Sequence, residues 1–258
     1  MIQQLLPDTH VLICRPEPSA SELSKVLESV GARCEVLPTL MIHPLVVTAE
    51  ARQKIMDLDH YDHVIVVSQH AASLGLSIID EYWPQFPTQQ NWFAIGRKTA
   101  NSLKPAGLNL IEPNEDLNSE ALLNTKLLAK VNGAKILILK GKEGRNTIES
   151  ELSKRGAAVD TISLYERVCP EYSSTELEAS LLEFNPSYIV ALSGETLYNL
   201  VQLSKKVNVD LKKKAFILSS ERVANIAREQ GFKLTYIANN LMPMDIIRCI
   251  AKARKEIH

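Results

Sequence analysis

The stretches IGRKTANSLKPAG (95–107) and SSERVANIAREQG (219–231) share one pattern. Each follows a short apolar run, turns at a small residue, continues with a charged residue, and carries an alanine and a final glycine at matching places. This pattern is typical of a buried strand that ends in a tight turn and continues as a helix. The chain therefore repeats one strand, turn and helix at a distance of 124 residues (219 minus 95).

Other segments match at nearly the same distance. VLICRP (11–16) matches ILILKG (136–141), and VIVVSQHAA (64–72) matches IVALSGETL (189–197), each at an offset of 125 (136 minus 11 and 189 minus 64). The Gly-Ala pairs at 31–32 and 156–157 share that offset. We infer a duplicated unit of about 125 residues with about five strands in each copy.

The composition is that of an ordinary globular protein. Of the 258 residues, 45% are hydrophobic and 23% are charged, and the net charge is -1. These values exclude a disordered chain and provide no overall field that would attract nucleic acid or an anionic membrane. The N-terminus lacks a basic region followed by a long apolar run, and no segment approaches the roughly 20 apolar residues that span a bilayer. We therefore expect a cytoplasmic protein that binds neither nucleic acid nor membrane.

Short apolar runs recur along the chain, and each ends at a polar or small residue before a helix-like stretch. Runs of this length and composition indicate strands buried on both faces, as in a doubly wound parallel sheet, so the predicted fold class is α/β. The runs are VLIC (11–14), HVIVV (63–67), WFAI (92–95), KILIL (135–139), YIVAL (188–192) and AFIL (215–218).

Two longer connections suggest how the copies are arranged. LPTLMIHPLVV (37–47) and ISLYERVCPEY (162–172) contain β-branched or aromatic residues and prolines, so both could run as extended segments between domains. If both cross, the chain begins one domain, builds the other completely and then returns. The predicted domains are 1–38 with 170–258, and 43–165, with crossing linkers at 39–42 and 166–169.

The turns after the strands are the candidate ligand sites, since ligands of doubly wound sheets bind beyond the carboxyl ends of the strands. Small residues there expose the amides of helix N-termini, which attract anions, and several cations lie in the same turns. The pattern predicts a polyanionic ligand, although a serine at any single turn could be only a helix cap. The candidate substrate-binding residues are Arg15, Ser68, Gly96, Thr99, Lys140, Gly141, Arg145, Ser193, Gly194 and Ser220.

Other kinds of site lack support in the sequence. The four cysteines contain no CxxC pair, which argues against a zinc site or a disulfide framework. His60 and His63 have a spacing compatible with a metal, but they lack partners in a recognised pattern, so we interpret them as a solvated turn. Neither GxxxxGK[ST] nor GxGxxG is present, so no nucleotide cofactor is indicated.

Nearly the whole chain resembles the uroporphyrinogen-III synthase family. The resemblance lies in CRPEPSASELSKVLESVGARCEVLP (14–38), AIGRKTANSLKPAG (94–107), PNEDLNSEALL (113–123), LILKGKEGRNTIESELSKRGAAVDTISLYERV (137–168) and SSERVANIAREQG (219–231). Its most specific element is the Gly-Arg pair at 144–145 followed by the LYER motif. The resemblance implies two flavodoxin-like domains joined by a two-stranded β ladder.

The resemblance also implies a lyase of tetrapyrrole biosynthesis that uses no metal or organic cofactor. The family cyclises and dehydrates hydroxymethylbilane, a linear tetrapyrrole with many carboxylates, and inverts its last pyrrole ring through an azafulvene and a spiro intermediate. Such a reaction depends mainly on positioning, with one group to help the hydroxyl leave. Tyr165 matches the family's conserved tyrosine and is the candidate catalytic residue, although it could instead be an aromatic packing residue.

The chain departs from the family pattern at one position, and its sequence is also compatible with one alternative function. Thr99 matches a hydroxyl position of the family, whereas Val223 stands where some members carry a second threonine, which argues against an essential hydroxyl there. The alternative function is a two-domain binding protein that closes on an anionic ligand without catalysis, because such proteins also use duplicated α/β domains. The repeats leave no obvious apolar stripe unassigned, so we expect a monomer.

Overall fold

The computed structural model describes residues 5–111, 118–144, 146–238 and 240–257. Strands and helices alternate along the chain, as predicted, and are numbered here in chain order. The strands are β1 (Thr9–Ile13), β2 (Ala32–Val36), β3 (Met41–Pro44), β4 (His63–Val66), β5 (Asn91–Ala94), β6 (Leu110–Ile111), β7 (Lys135–Gly141), β8 (Ala158–Val168), β9 (Tyr188–Val190), β10 (Ala215–Leu218) and β11 (Thr235–Ile237). All six apolar runs overlap a strand.

The helices follow most of these strands. They are α1 (Ser19–Ser29), α2 (Ala49–Met56), α3 (Gln69–Tyr82), α4 (Arg97–Leu103), α5 (Ser119–Leu123), α6 (Lys126–Ala129), α7 (Thr147–Lys154), α8 (Ser174–Glu178), α9 (Gly194–Lys206), α10 (Glu221–Glu229) and α11 (Pro243–Ile257). Short 3-10 turns at Leu58–His60 and Lys104–Ala106 and a π-helical turn at Ala179–Glu183 complete the regular structure of the described residues.

The chain divides into two compact units. Unit 1 consists of Met1–Met41 and Val168–His258, and unit 2 of Ile42–Arg167. The chain therefore leaves unit 1 after β2 and re-enters it after β8. The crossing linkers predicted at 39–42 and 166–169 contain these two junctions.

The sheet of unit 1 has the strand order β2-β1-β9-β10-β11, and every neighbouring pair is parallel. Counted within the unit, this is the order 2-1-3-4-5 of flavodoxin-like folds. The switch point, where the strand order reverses, lies between β1 and β9.

The sheet of unit 2 has the order β3-β8-β7-β4-β5-β6, with parallel pairs from β8 to β6. If β7 and β8 are counted first, this sheet also has the order 2-1-3-4-5, permuted along the chain. Its switch point lies between β7 and β4. The two-stranded ladder of the predicted fold is the pair β3 and β8, which extends this sheet, and Leu45 N donates to Leu164 O over 2.9 Å.

Alternating side chains of the central strands produce a core on each face of each sheet. In unit 1, Val11 and Ile13 face α1 and α11, while Leu12 faces α8, α9 and α10. In unit 2, Val64 packs with α2, α3 and α4, and Ile65 packs with α5, α6 and α7. Each fully buried aliphatic side chain contributes about 1.5–3 kcal/mol of transfer free energy. The predicted class, two doubly wound α/β units, is confirmed.

Candidate functional site

A cavity of about 340 Å³ opens in unit 2 at the carboxyl ends of β4 and β7, which is the switch point of this sheet. Four of the predicted site residues line it. The lining consists of Val67, Ser68, Ile95, Ser119, Ile138, Lys140, Gly141, Glu143, Gly144, Ile148, Glu149, Tyr165 and Arg167. The lining therefore combines apolar side chains with hydroxyl and charged groups.

Tyr165 is fixed in this wall by an irregularity of the sheet. The register between β7 and β8 shifts at Lys140 and Gly141, so that Gly141 pairs with Tyr165. Lys142 N donates to Tyr165 O over 2.7 Å, and only 3% of Tyr165 is exposed. The backbone and the surrounding core thus hold the ring in one place.

Gly141 provides the space that this ring occupies. A Cβ atom built at Gly141 would lie 2.7 Å from Tyr165 Cζ and 3.1 Å from Tyr165 Oη. A contact of 2.7 Å is essentially never made by a real Cβ atom, and a buried ring has little room to move. The sequence predicts Gly141 as a substrate-binding residue. The geometry indicates a second role, because the absence of a side chain at Gly141 leaves room for the phenol ring.

Ser68 lies directly beside the phenol. It is the N-cap of α3, where its Oγ accepts from Ala71 N over 3.1 Å, and the same Oγ lies 2.9 Å from Tyr165 Oη. A serine N-cap needs only the first contact. The second contact joins a helix terminus to the candidate catalytic group.

The imidazole of His70 packs against the ring of the same tyrosine. Its ring lies 5.7 Å from the ring of Tyr165 in an edge-on arrangement. Desolvation of the imidazole lowers the pKa of His70, and the positive charge of Arg167 lowers it further. The imidazole next to Tyr165 is therefore neutral at pH 7. The sequence gives little sign of this contact, because His70 follows Ser68 by only two residues, a spacing that matches no known catalytic triad.

Lys140 provides a cation in the lining of the cavity. Its side chain is 13% exposed, and its Nζ donates to Asn146 Oδ1 over 2.7 Å and lies 3.8 Å from Glu149 Oε2. Asn146 and Glu149 were not predicted, although the first belongs to the N-terminal cap of α7 and the second to its first turn. An acidic residue at this place is a common feature of helix starts.

Charged side chains next to the cavity also form ion pairs and hydrogen bonds at the end of β8. Lys142 Nζ donates to Glu166 Oε2 over 2.7 Å, which lowers the pKa of the Glu166 carboxyl, and His43 Nδ1 lies 3.8 Å from Glu166 Oε1. Glu143 Oε2 accepts from the backbone N of Arg167 over 3.2 Å. These contacts tie the end of β8 to the loop after β7.

The predicted residues of unit 1 lie at the matching edge of its own sheet. Ser193 caps α9, where its Oγ accepts from Thr196 N over 3.0 Å and donates to Thr196 Oγ1 over 2.8 Å. Gly194 is the first residue of that helix, and Ser220 is the N-cap of α10, without a side-chain cap bond. Arg15 follows β1 at the switch point, and burial lowers the pKa of its guanidinium while Glu22 partly offsets this.

Two further candidates of unit 2, Gly96 and Thr99, are not among the described residues that line the cavity. Gly96 is the N-cap of α4 with a φ of 84°, a left-handed conformation that favours glycine. Thr99, inside that helix, is 3% exposed and packs within the unit. Arg145 lies outside the described residues.

The interpretation of His63 as part of a solvated turn is wrong. His63 begins β4 and is buried, because its ring packs edge-on against Phe93 at 5.7 Å. Burial lowers its pKa, partly offset by Asp62. Among the described residues no group of three or more His, Cys, Asp or Glu side chains could hold a metal ion.

Cys14, Cys34, Cys169 and Cys249 are free, and burial raises the pKa of each thiol. No helix within the described ranges is both long and apolar enough to pass through a bilayer.

Comparison with known families adds an independent finding. The family model described as uroporphyrinogen-III synthase HemD matches residues 21–247. The chain is 30% identical over 236 residues to uroporphyrinogen-III synthase of Escherichia coli (strain K12), which covers 89% of this chain and 95% of that protein. It is 29% identical over 233 residues to the enzyme of the same name from Salmonella typhimurium, with the same coverage of 89% and 95%.

Solved structures give the same result at the level of the fold. A mutant uroporphyrinogen III synthase from Thermus thermophilus superposes with a TM-score of 0.62 at 15% identity, covering 96% of this chain and 99% of that one. Uroporphyrinogen-III synthetase from Helicobacter pylori superposes with a TM-score of 0.61 at 14% identity, covering 95% and 99%. At these identities the likeness concerns the fold.

Proposed function

The chain belongs to the uroporphyrinogen-III synthase family, and from this premise we propose that it cyclises and dehydrates hydroxymethylbilane and inverts the last pyrrole ring. The observation that carries the proposal for this chain's own residues is the contact of 2.9 Å between Tyr165 Oη and Ser68 Oγ on the wall of the switch-point cavity. This contact places a group capable of proton donation in the lining of the cavity, beside apolar side chains such as Ile138 and Ile148.

Tyr165 is the group that we assign to the dehydration step. Departure of the hydroxyl from the hydroxymethyl carbon requires a proton, and a phenol can donate it or donate a hydrogen bond to the leaving oxygen. The side chain is held by backbone pairing and packing, so little reorganisation is needed during the reaction.

The remaining candidates would hold the carboxylates of the substrate. In unit 2 these are Lys140 and the backbone amides that follow β4 and β5, and in unit 1 they are Arg15 and the starts of α9 and α10. Helix N-termini and cations favour carboxylates through amide donors and positive potential. Because the substrate supplies both the electrophile and the nucleophile, holding it folded is the larger part of catalysis.

The alternative, a binding protein without catalysis, is not favoured. The family match covers residues 21–247, and the curated relatives are synthases over 95% of their own length. The cavity in unit 2 also presents a phenol at its wall, which binding of an anion alone does not require.

Incubation of the purified chain with hydroxymethylbilane tests the proposal. We expect uroporphyrinogen III in excess of the type I isomer that forms spontaneously, measured by chromatographic separation of the oxidised porphyrins. Formation of type I alone, at the rate of the protein-free control, would contradict it. Function as a monomer in the cytoplasm and without a cofactor stays a prediction.

A further inference from the structure

We infer that Ser68 is a positioning residue that acts through Tyr165: its hydroxyl donates to the phenol oxygen and stabilises the phenolate left when Tyr165 gives up its proton. The inference rests on the proposed function and changes the role of Ser68 from binding the substrate to supporting the proton donor.

The hydrogen bonds of Ser68 allow this role. A serine hydroxyl has one proton to donate and two acceptor positions. Ala71 N occupies one acceptor position over 3.1 Å, and Tyr165 Oη lies 2.9 Å away. If the phenol donated to Ser68, its proton would be directed away from the substrate. The arrangement that keeps the phenol proton available is the one in which Ser68 donates.

Both oxygens are fixed by the fold rather than by each other. Ser68 has the extended φ of -157° and ψ of 161° of an N-cap, and its side chain is bonded to the start of α3. Tyr165 is held by the shifted register of β7 and β8 and by contact with Gly141. Because neither group needs to search for the other, the hydrogen bond is preorganised.

The dehydration step balances with these two residues. The C–O bond of the hydroxymethyl group breaks with its electron pair on oxygen, and the proton of Tyr165 completes a water molecule. The lone pair of the pyrrole nitrogen supplies electron density to the carbon that loses the hydroxyl, and this carbon becomes part of a protonated azafulvene. Ser68 then donates to the phenolate. The phenolate takes back a proton from the substrate when ring closure restores an aromatic pyrrole, so that only water is lost.

Ser68→Gly separates this role from helix capping. Glycine is a good N-cap, so the start of α3 should be retained in this variant. A hydrogen bond to a charged group is stronger than a neutral one, so we expect kcat to fall about tenfold while KM stays within about twofold. Ser68→Thr keeps both the cap and the hydroxyl and should restore most of kcat.

A double-mutant cycle shows whether Ser68 acts through the phenol. In Tyr165→Phe there is no phenolate to stabilise, so adding Ser68→Gly should cause no further loss of kcat. Thr48→Gly is the matched control. Thr48 is the N-cap of α2 in the same unit, it accepts from Ala51 N over 3.1 Å, and it lies outside the cavity lining. This variant should leave kcat unchanged.

Two results would overturn the inference: an unchanged kcat in Ser68→Gly, or an equal loss whether Ser68→Gly is introduced into the wild-type chain or into Tyr165→Phe. A rise in KM alone would return Ser68 to substrate binding. Raman difference spectra between the protein and Tyr165→Phe provide a readout independent of activity. We expect the phenol to appear as an acceptor, and this character should disappear in Ser68→Gly. If the wild-type chain made no type III product, the proposed function would fail, and the spectra would still decide the role of Ser68.

Discussion

Ser68 in unit 2 and Ser193 in unit 1 occupy the same place in two copies of one fold, but their hydroxyls have different partners. Each follows the strand next to the switch point, and each accepts from the backbone N three residues further on. Ser68 Oγ lies beside the phenol of Tyr165, whereas Ser193 Oγ donates to Thr196 Oγ1 of its own helix. Capping is common to both units, and the contact with a phenol belongs to unit 2.

The strand that supplies the phenol shows how the copies diverged. At the repeat offset of 125, Tyr165 corresponds to Leu40 (165 minus 125), a buried leucine. Next to it, Thr39 Oγ1 donates to Thr196 O over 2.9 Å and Thr39 O accepts from Asn199 Nδ2 over 2.7 Å. The segment after β2 is thus bonded to α9 of unit 1, while the end of β8 carries the polar wall of a cavity. The two units therefore share a strand order, and they differ in the side chains that stand at equivalent positions.

The largest expected difference between the units is the loss of stability when a glycine at the candidate site is replaced by alanine. The two glycines are Gly141 in unit 2 and Gly194 in unit 1. Gly141→Ala would push a Cβ into the ring of Tyr165, so we expect a stability loss of about 1–3 kcal/mol and a fall in kcat of about 100-fold. At Gly194 the Cβ would lie 3.1 Å from Ile226 Cδ1, the end of a flexible side chain. We expect Gly194→Ala to change stability by less than about 0.5 kcal/mol.

Thermal unfolding and steady-state kinetics of both variants provide the measurement. An equal loss of stability at the two glycines, or full activity in Gly141→Ala, would contradict the role of Gly141 as clearance for the phenol.

A smaller effect is expected at the cation of unit 1. If Arg15 pairs with a substrate carboxylate, Arg15→Ala should raise KM about tenfold with kcat nearly unchanged, since it removes binding shared by the ground state and the transition state. Arg33→Ala is the matched control, because Arg33 is exposed near the start of β2, away from the carboxyl edge. An unchanged KM in Arg15→Ala would remove Arg15 from the site.

The smallest effect concerns stability as a function of pH. His63 begins β4, and Tyr188 begins β9 at the same offset of 125 (188 minus 63). Burial lowers the pKa of His63, whereas burial raises that of Tyr188 and keeps it neutral. As the pH falls below about 6.5, the unfolded chain gains a proton at His63 before the folded chain does. The free energy of unfolding should therefore fall until the lowered pKa is passed.

Denaturant unfolding between about pH 7.5 and 5 measures this slope. The variant His63→Gln, which keeps an acceptor for Asn91 Nδ2, should show a flatter profile than the wild-type chain. Identical profiles would mean that His63 contributes nothing to the pH dependence.

The strands and helix starts of the two units could be predicted from the sequence because the patterns that indicate them are local. The six apolar runs predict strands from their own composition, and the serines at 68 and 193 are the caps expected from their positions. The repeat offset then ordered these elements into two similar units. The short strand β3 was predicted only as part of an extended segment, because its exposed residues reveal no partner.

The details of the candidate site depend on contacts between distant residues. Ser68 and Tyr165 are 97 residues apart, and the function of Gly141 depends on a ring that arrives from the neighbouring strand. His63 was misassigned because a histidine at the start of an apolar run does not reveal whether the strand begins at the surface or inside the core. Neither the contacts between distant residues nor the burial of the first residue of β4 leaves a periodic pattern in the sequence.

The measurement that tests the central claim most directly is kcat for Tyr165→Phe beside Tyr172→Phe. Both substitutions remove one phenol oxygen from the same stretch of chain, and Tyr172 Oη donates to Pro38 O over 2.7 Å within unit 1. We predict that Tyr165→Phe retains its fold and loses at least about tenfold in kcat. Tyr172→Phe should keep kcat and lose about 1 kcal/mol of stability. Full synthase turnover in Tyr165→Phe would contradict the account and leave Tyr165 as a packing residue.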